Sequence, residues 1–264
     1  MTGADGASGG YIRDAEVMVL KRALVIGASS GMGAELVRRL AADGHVVAAV
    51  ARRADRLQEL ADEVNAGGTR RVFPVVHDVT DTESVEALFE RVVVDLDGLD
   101  LVIYCAGVMP RIGIDEYPTA LDRQVFEVNV IGAMAWLNPA AERMAHLGGG
   151  TLVGIGSVAG DRGRVGNPAY CASKAALETY MEALRNRLAP KGVQVLTVKP
   201  GPVRTPMTQG LDKLPMVIDV SVAVDQILTA IAKRKTVVYV PKRWGVVMAV
   251  IRAIPSSIFQ RLGI

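Results

Sequence analysis

The sequence predicts a doubly wound α/β domain, a seven-stranded parallel sheet with helices on both faces. Three observations carry this. Short apolar runs alternate with amphipathic stretches of helix length from residue 21 to 240. The runs are nearly continuous Val, Ile, Leu and Ala, as strands buried on both faces require. Half of the 264 residues are hydrophobic but only 5% are aromatic, a composition that suits helices packed on such a sheet.

Taken in order, ALVIG (23–27) is an apolar run entering a glycine loop, and the helix expected over about 32–43 closes at Gly44. HVVAAVA (45–51) is the second strand, and ADRLQELADEVNA (54–66) a helix stopped by Gly67 and Gly68. RVFPVV (71–76) is followed by a helix over about 82–96, and LDLVIYCAG (99–107) by one long helix over about 120–147. TLVGIGS (151–157) is the fifth strand, with a helix over 167–188. VQVLTVKPG (193–201) and TVVYVP (236–241) complete the sheet. Ligands on such sheets bind at the carboxyl ends of strands where the strand order reverses.

Mean hydropathy is +0.27, too apolar for a disordered chain. Two cysteines exclude a disulfide scaffold, and no run of about 18 apolar residues is present to span a membrane. His45, His77 and His146 lie on separate elements without ligand spacing, so no metal site is expected. Cys105, Cys171 and Trp136 read as packing residues. Residues 1–20 read as a flexible leader without a secretory pattern, which with the free cysteines points to the cytoplasm.

The first strand runs into Gly27-Ala28-Ser29-Ser30-Gly31-Met32-Gly33 and then a helix. Gly27 permits the turn, Gly31 lets a pyrophosphate approach the backbone, and Gly33 allows close packing, while the helix N-terminus offers free N–H groups. The second strand ends Val50-Ala51-Arg52-Arg53, with no acid before Asp55. A carboxylate there would select the 2′-hydroxyl of NAD. Two guanidinium groups favour the 2′-phosphate of NADP(H) instead. Asp78, after the third strand, suits either an adenine amino group or a helix N-cap.

Tyr170 and Lys174 stand at i and i+4 near the start of a helix and share a face. A neighbouring ammonium is expected to lower the phenol pKa and make Tyr170 a general acid/base for a carbonyl or alcohol oxygen. Ser157, closing the fifth strand, can orient that oxygen. Asn129, a polar residue in the apolar stretch Val128-Asn129-Val130-Ile131, is expected to hold Lys174 through water.

With Asp78-Val79, Ala106-Gly107 and Pro200-Gly201, these motifs resemble the single-domain short-chain dehydrogenase/reductase family from about Lys21 to Pro241. The resemblance implies a Rossmann-type fold and a catalytic tetrad of Asn129, Ser157, Tyr170 and Lys174. It implies hydride transfer between a nicotinamide and a carbinol carbon, and places Thr205 near the carboxamide. Gly27, Ser29, Ser30, Gly31, Met32, Gly33, Arg52, Arg53, Asp78, Val79, Ala106, Gly107, Pro200, Gly201, Val203, Thr205, Tyr170 and Lys174 are the implied cofactor-binding residues. Two positions depart from the family pattern: Ile26 replaces a Thr before the glycine motif, and Cys105 an Asn before Ala106-Gly107. A homodimer or homotetramer acting on a small carbonyl or alcohol compound is expected, with no nucleic-acid partner. The alternative is a non-catalytic NADP(H)-binding regulator, which would have no need of Tyr170 and Lys174 together.

The domain is expected to span 21–241 and a basic apolar extension 242–264. After Ile231 there are seven basic residues and no acid, although the net charge of the whole is only +2. Gly245 to Ile251 is apolar throughout, too short to cross a bilayer but suited to an anionic membrane interface or to burial against the body or a subunit partner. The end VVMAVIRAIPSSIFQRLGI is similar to the tail of the decaprenylphosphoryl-2-keto-ribose reductases, members of the same family that act on a lipid-linked sugar. That likeness implies a hydrophobic or lipid-linked substrate and a peripheral position at the inner face of the membrane.

Overall fold

The computed structural model describes residues 21–211 and 214–263, so the leader expected over 1–20 lies outside the described residues. Seven strands form one parallel sheet: β1 (Arg22–Ile26), β2 (Val46–Ala51), β3 (Val72–Val76), β4 (Leu101–Tyr104), β5 (Thr151–Ile155), β6 (Gln194–Pro200) and β7 (Val237–Val240). Their order is β3-β2-β1-β4-β5-β6-β7, so the chain reverses direction across the sheet between β1 and β4. That switch point opens the crevice in which the site is built.

One face of the sheet is covered by α1 (Gly31–Ala42), α2 (Ala54–Asn65) and α7 (Val220–Ala232). Leu36, Val37, Leu57, Val224 and Ile227 are its fully buried anchors. The other face carries α3 (Val85–Asp95), α5 (Gly132–Leu147) and α6 (Pro168–Leu188), through Phe89, Trp136, Leu137, Leu177 and Met181. Each fully buried side chain of this size contributes roughly 1.5–3 kcal/mol relative to exposure. Trp136 is an interior residue here, meeting His77 edge-on at 5.3 Å between ring centroids.

Three elements differ from expectation. The helix expected over 120–147 is two helices, α4 (Thr119–Phe126) and α5, joined by a π-helical turn, Glu127–Ile131. Asn129 lies in that turn with its amide held by the Val108 backbone, and the Tyr104 hydroxyl donates to the Val128 carbonyl within it, contacts from outside the helix that the local pattern does not record. The helix expected from residue 82 starts at Val85, because Asp81 accepts a hydrogen bond from the Ser84 hydroxyl in the preceding turn. Helix α7 was not expected at all; its run VSVAVDQILTAIA lacks the glycine and proline punctuation that marks the other helices.

The C-terminal segment forms α8 (Arg243–Ala253) and α9 (Ser256–Phe259). Trp244 and Met248 are buried against Val158, with Met216, Tyr239, Val247 and Ile251 around them. Arg162 fastens this segment: its guanidinium donates to the carbonyls of Ile251 (2.5 Å) and Ile254 (2.6 Å) and lies 3.9 Å from the Phe259 ring centroid. No described helix is long and apolar enough to cross a membrane.

Candidate active site

β1 delivers the glycine loop to the switch point. Gly27 has a φ of +92°, and a Cβ there would strike the backbone of Ala106 after β4; a Cβ on Gly33 would strike the carbonyl of Gly27. Both glycines therefore let backbone pass close to backbone. Gly31 makes room for the Thr205 methyl. Helix α1 starts without a side-chain cap and with no acid in its first turn, so its first N–H groups are free for an anion.

Over that helix end lies a cavity of about 220 Å³. Ser29, Ser30, Gly31, Met32, Arg52 and Arg53 line it together with Ala106, Gly107, Thr205, Pro206 and Met207. The Arg53 guanidinium donates to the hydroxyls of Ser29 and Ser30, both at 2.8 Å. Arg52 faces Asp78 at 3.5 Å, with both side chains substantially exposed. Uncapped amides, two serine hydroxyls and two guanidinium groups form a donor set that fits the phosphates of a dinucleotide, a 2′-phosphate included.

Asp78 caps no helix. Its carboxylate accepts from the N–H and hydroxyl of Thr80, at 3.0 and 2.9 Å. Burial would raise its pKa, but Thr80 and Arg52 outweigh that and hold it below the usual carboxylate value. Asp78 is not among the residues lining the cavity, whereas its neighbours His77 and Val79 are. Ala51, His77, Cys105, Val108, Val128, Pro206 and Met207 also line it, and no motif marks them as site residues. His77 is buried, with its Nε2 near the Asp81 carbonyl and the Ser84 hydroxyl.

Beyond the cavity lining, Asn129, Ser157, Tyr170 and Lys174 form one cluster. Asn167 caps α6 by accepting the Tyr170 N–H (3.1 Å), which with Pro168 fixes the helix start and puts Tyr170 in its first turn. Lys174, one turn on, is buried and donates to the Ile155 carbonyl at 2.8 Å. Ser157 follows β5; its hydroxyl accepts the Ala159 N–H (3.1 Å) and faces the Tyr170 phenol closely enough to favour its ionised form. Asn129 is fully buried. It accepts the Val108 N–H (2.8 Å) and donates to the Val108 carbonyl (3.1 Å) and the Ser173 hydroxyl (3.0 Å). Its direct contacts therefore hold the β4 loop against α6. A Cβ on Gly107 would sit 3.4 Å from both Asn129 Oδ1 and Lys174 Nζ, so this glycine separates the two side chains.

The electrostatics correct one expectation. The Tyr170 pKa is raised, not lowered: burial dominates, Cys171 and Glu178 add to it, and the Ser157 hydrogen bond and Arg164 do not overcome it. Lys174 gives little help because its ammonium lies 5.8 Å from the ring centroid and is itself destabilised by burial, which brings it down to about 8. Cys105 is pushed up to about 11 by burial, which keeps its thiol protonated.

Pro200 ends β6, and Gly201 lies directly against the Trp244 indole, so the segment after β6 and helix α8 share a wall. Val203 is buried and bridges to Ile218. Thr205 caps the turn Pro206–Thr208 and lines the cavity. Among the described residues there is no cluster of three metal-ligating side chains.

A family profile described as short chain dehydrogenase matches residues 21–214. An uncharacterised oxidoreductase of Myxococcus xanthus is 36% identical over 244 residues, covering 92% of this chain and 96% of the relative. An uncharacterised oxidoreductase of Mycobacterium tuberculosis is 30% identical over 244 residues, covering 91% and 96%. Among solved structures, a short-chain dehydrogenase from Sphingobium yanoikuyae in complex with NADPH superposes with a TM-score of 0.77 at 28% identity, covering 90% of this chain and 97% of that one.

Proposed function

The chain belongs to the short-chain dehydrogenase/reductase family, and from that premise we propose an NADP(H)-dependent oxidoreductase that interconverts a ketone or aldehyde and an alcohol. Tyr170 and Ser157 gathered around Lys174, whose ammonium lies beside Gly107 of the cavity lining, carry this reading. The cofactor supplies the hydride. Tyr170 gives a proton to the carbonyl oxygen, or takes it from the alcohol, and a raised phenol pKa suits the donating direction. Ser157 would hold that oxygen in place, Lys174 would hold the cofactor ribose, and Asn129 keeps the loop around Gly107 registered on α6.

Arg53 and Arg52 support NADP(H) over NAD(H), and the NADPH-bound neighbour is in keeping with it. Residues 21–241 act as the dinucleotide-binding and catalytic unit, and 242–264 as its C-terminal extension. The working form is a cytoplasmic homodimer or homotetramer. The test is oxidation of NADPH, and separately NADH, with diacetyl, acetophenone, benzaldehyde and decanal. Turnover favouring NADPH by about tenfold or more supports the reading; a preference for NADH would remove the role given to the arginines.

A second reading concerns the tail. Val246 and Val250 are 72% and 61% exposed on α8, beside exposed Lys242 and Arg243. This outward stripe is suited to an anionic membrane surface and to a hydrophobic substrate delivered from it. Substitution is preferable to truncation, because loss of Trp244 would uncover Val158. Co-sedimentation with phosphatidylglycerol vesicles should be lost in high salt and in Val246→Glu/Val250→Glu. Equal recovery of the variant would end this reading.

A further inference from the structure

Behind Ser157 lies a buried charged chain that the proposed reaction does not use. β5 leaves the sheet at Gly156, whose N–H still donates to the Val198 carbonyl of β6 at 2.8 Å. The next amide, that of Ser157, turns away from the ladder and donates to the Glu178 carboxylate at 3.0 Å. Glu178 is 8% exposed and stands one turn beyond Lys174 and two beyond Tyr170 on α6. Its other oxygen is 2.9 Å from the Lys199 ammonium. Lys199 also meets Asp161 at 2.6 Å, and Asp161 accepts the Tyr239 hydroxyl at 2.8 Å. A Cβ on Gly156 or Gly160 would collide with the Glu178 carboxyl, so two glycines leave the space it fills.

We propose that Glu178, clamped by Lys199, is a positioning residue for Ser157: it captures the first amide beyond the β5 ladder and so fixes where the hydroxyl meets Tyr170. Four elements converge on this one carboxylate, namely the end of β5, α6, β6 and, through Asp161 and Tyr239, β7. A buried carboxylate that needed only neutralising could be served by Lys199 alone. This one spends its second oxygen on the amide of the residue given to substrate orientation. Tyr239 lies against Gly245 of α8, so the same chain ties the seat of the C-terminal helix to Ser157.

The inference rests on the role given above to Ser157, and its test separates the two. Amide hydrogen exchange at Ser157 is measured by NMR on the cofactor-free full chain, with no substrate. In Glu178→Ala exchange should accelerate by about tenfold or more, and in Glu178→Gln, which keeps a carbonyl acceptor, most of the protection should return. Unchanged protection in Glu178→Ala, or equal loss in both variants, overturns the proposal. The activity arm is a double-mutant cycle in NADPH oxidation with diacetyl. Ser157→Ala and Glu178→Ala should each lower turnover, and the pair should be no worse than Ser157→Ala alone. Additive losses overturn the positioning role. A Ser157→Ala enzyme with full turnover instead removes the reading on which the inference stands.

Discussion

The cofactor half and the catalytic half of the crevice handle charge in opposite ways. Around β1 and β2 the charges are at the surface: Arg52 and Asp78 are 54% and 41% exposed and 3.5 Å apart. Around β5 and β6 they are inside, where Lys199 and Asp161 are 14% and 2% exposed and 2.6 Å apart. An exposed pair is screened by water and contributes little to folding, so it is free to be used for binding. A buried set is part of the fold, and breaking it leaves an uncompensated charge. Substitutions in the first half should therefore change affinity with the fold intact. Substitutions in the second should change stability and chemistry together.

Four variants sharpen this contrast. Lys199→Met should cost about 3 kcal/mol in urea unfolding at neutral pH, because Glu178 and Asp161 lose the cation between them. A loss below about 1 kcal/mol would mean that the two carboxylates neutralise themselves at little cost.

Lys174→Met should act in the other direction on stability. Burial brings the ammonium from 10.5 to about 8, so between those values the unfolded chain binds more protons than the folded one. This group's destabilisation is full below about pH 8 and fades as pH rises to 10.5. The cofactor-free variant should be more stable than the parent by on the order of 1–3 kcal/mol at pH 7, and the gap should close by pH 10.5. A gap that is constant with pH would assign it to packing.

Arg53→Ala should weaken NADPH by about tenfold in calorimetric titration and change NADH less than about twofold, with the melting temperature unmoved. Equal weakening of both would move the contact from the 2′-phosphate to the pyrophosphate. The smallest effect should come from Arg38→Ala, which breaks an exposed pair with Glu63 at 2.7 Å and should cost less than about 0.5 kcal/mol.

The same division explains what could be read in advance. The strands were legible because runs such as ALVIG and VQVLTV have one consistent environment, apolar on both faces. The glycine loop and the Tyr170–Lys174 pair were legible because their spacing is local. The π turn was not, since 120–147 is helical in pattern throughout and the contacts at the turn, Asn129 with the Val108 backbone and the Tyr104 hydroxyl with the Val128 carbonyl, join separate elements. The raised phenol pKa was missed for the same reason: i and i+4 gives proximity along a helix but not burial. Glu178 and Lys199 left a faint signal, a lysine in an apolar strand and a glutamate one turn after Lys174. Their pairing spans separate elements and appears only when the sheet is assembled.

The decisive variant for Tyr170 as the proton donor is Tyr170→Phe, with NADPH binding by calorimetry and NADPH oxidation measured on the same preparation. Affinity for NADPH should stay at the parental value while turnover falls by about 10²–10⁴-fold. Turnover at the parental rate would contradict that role.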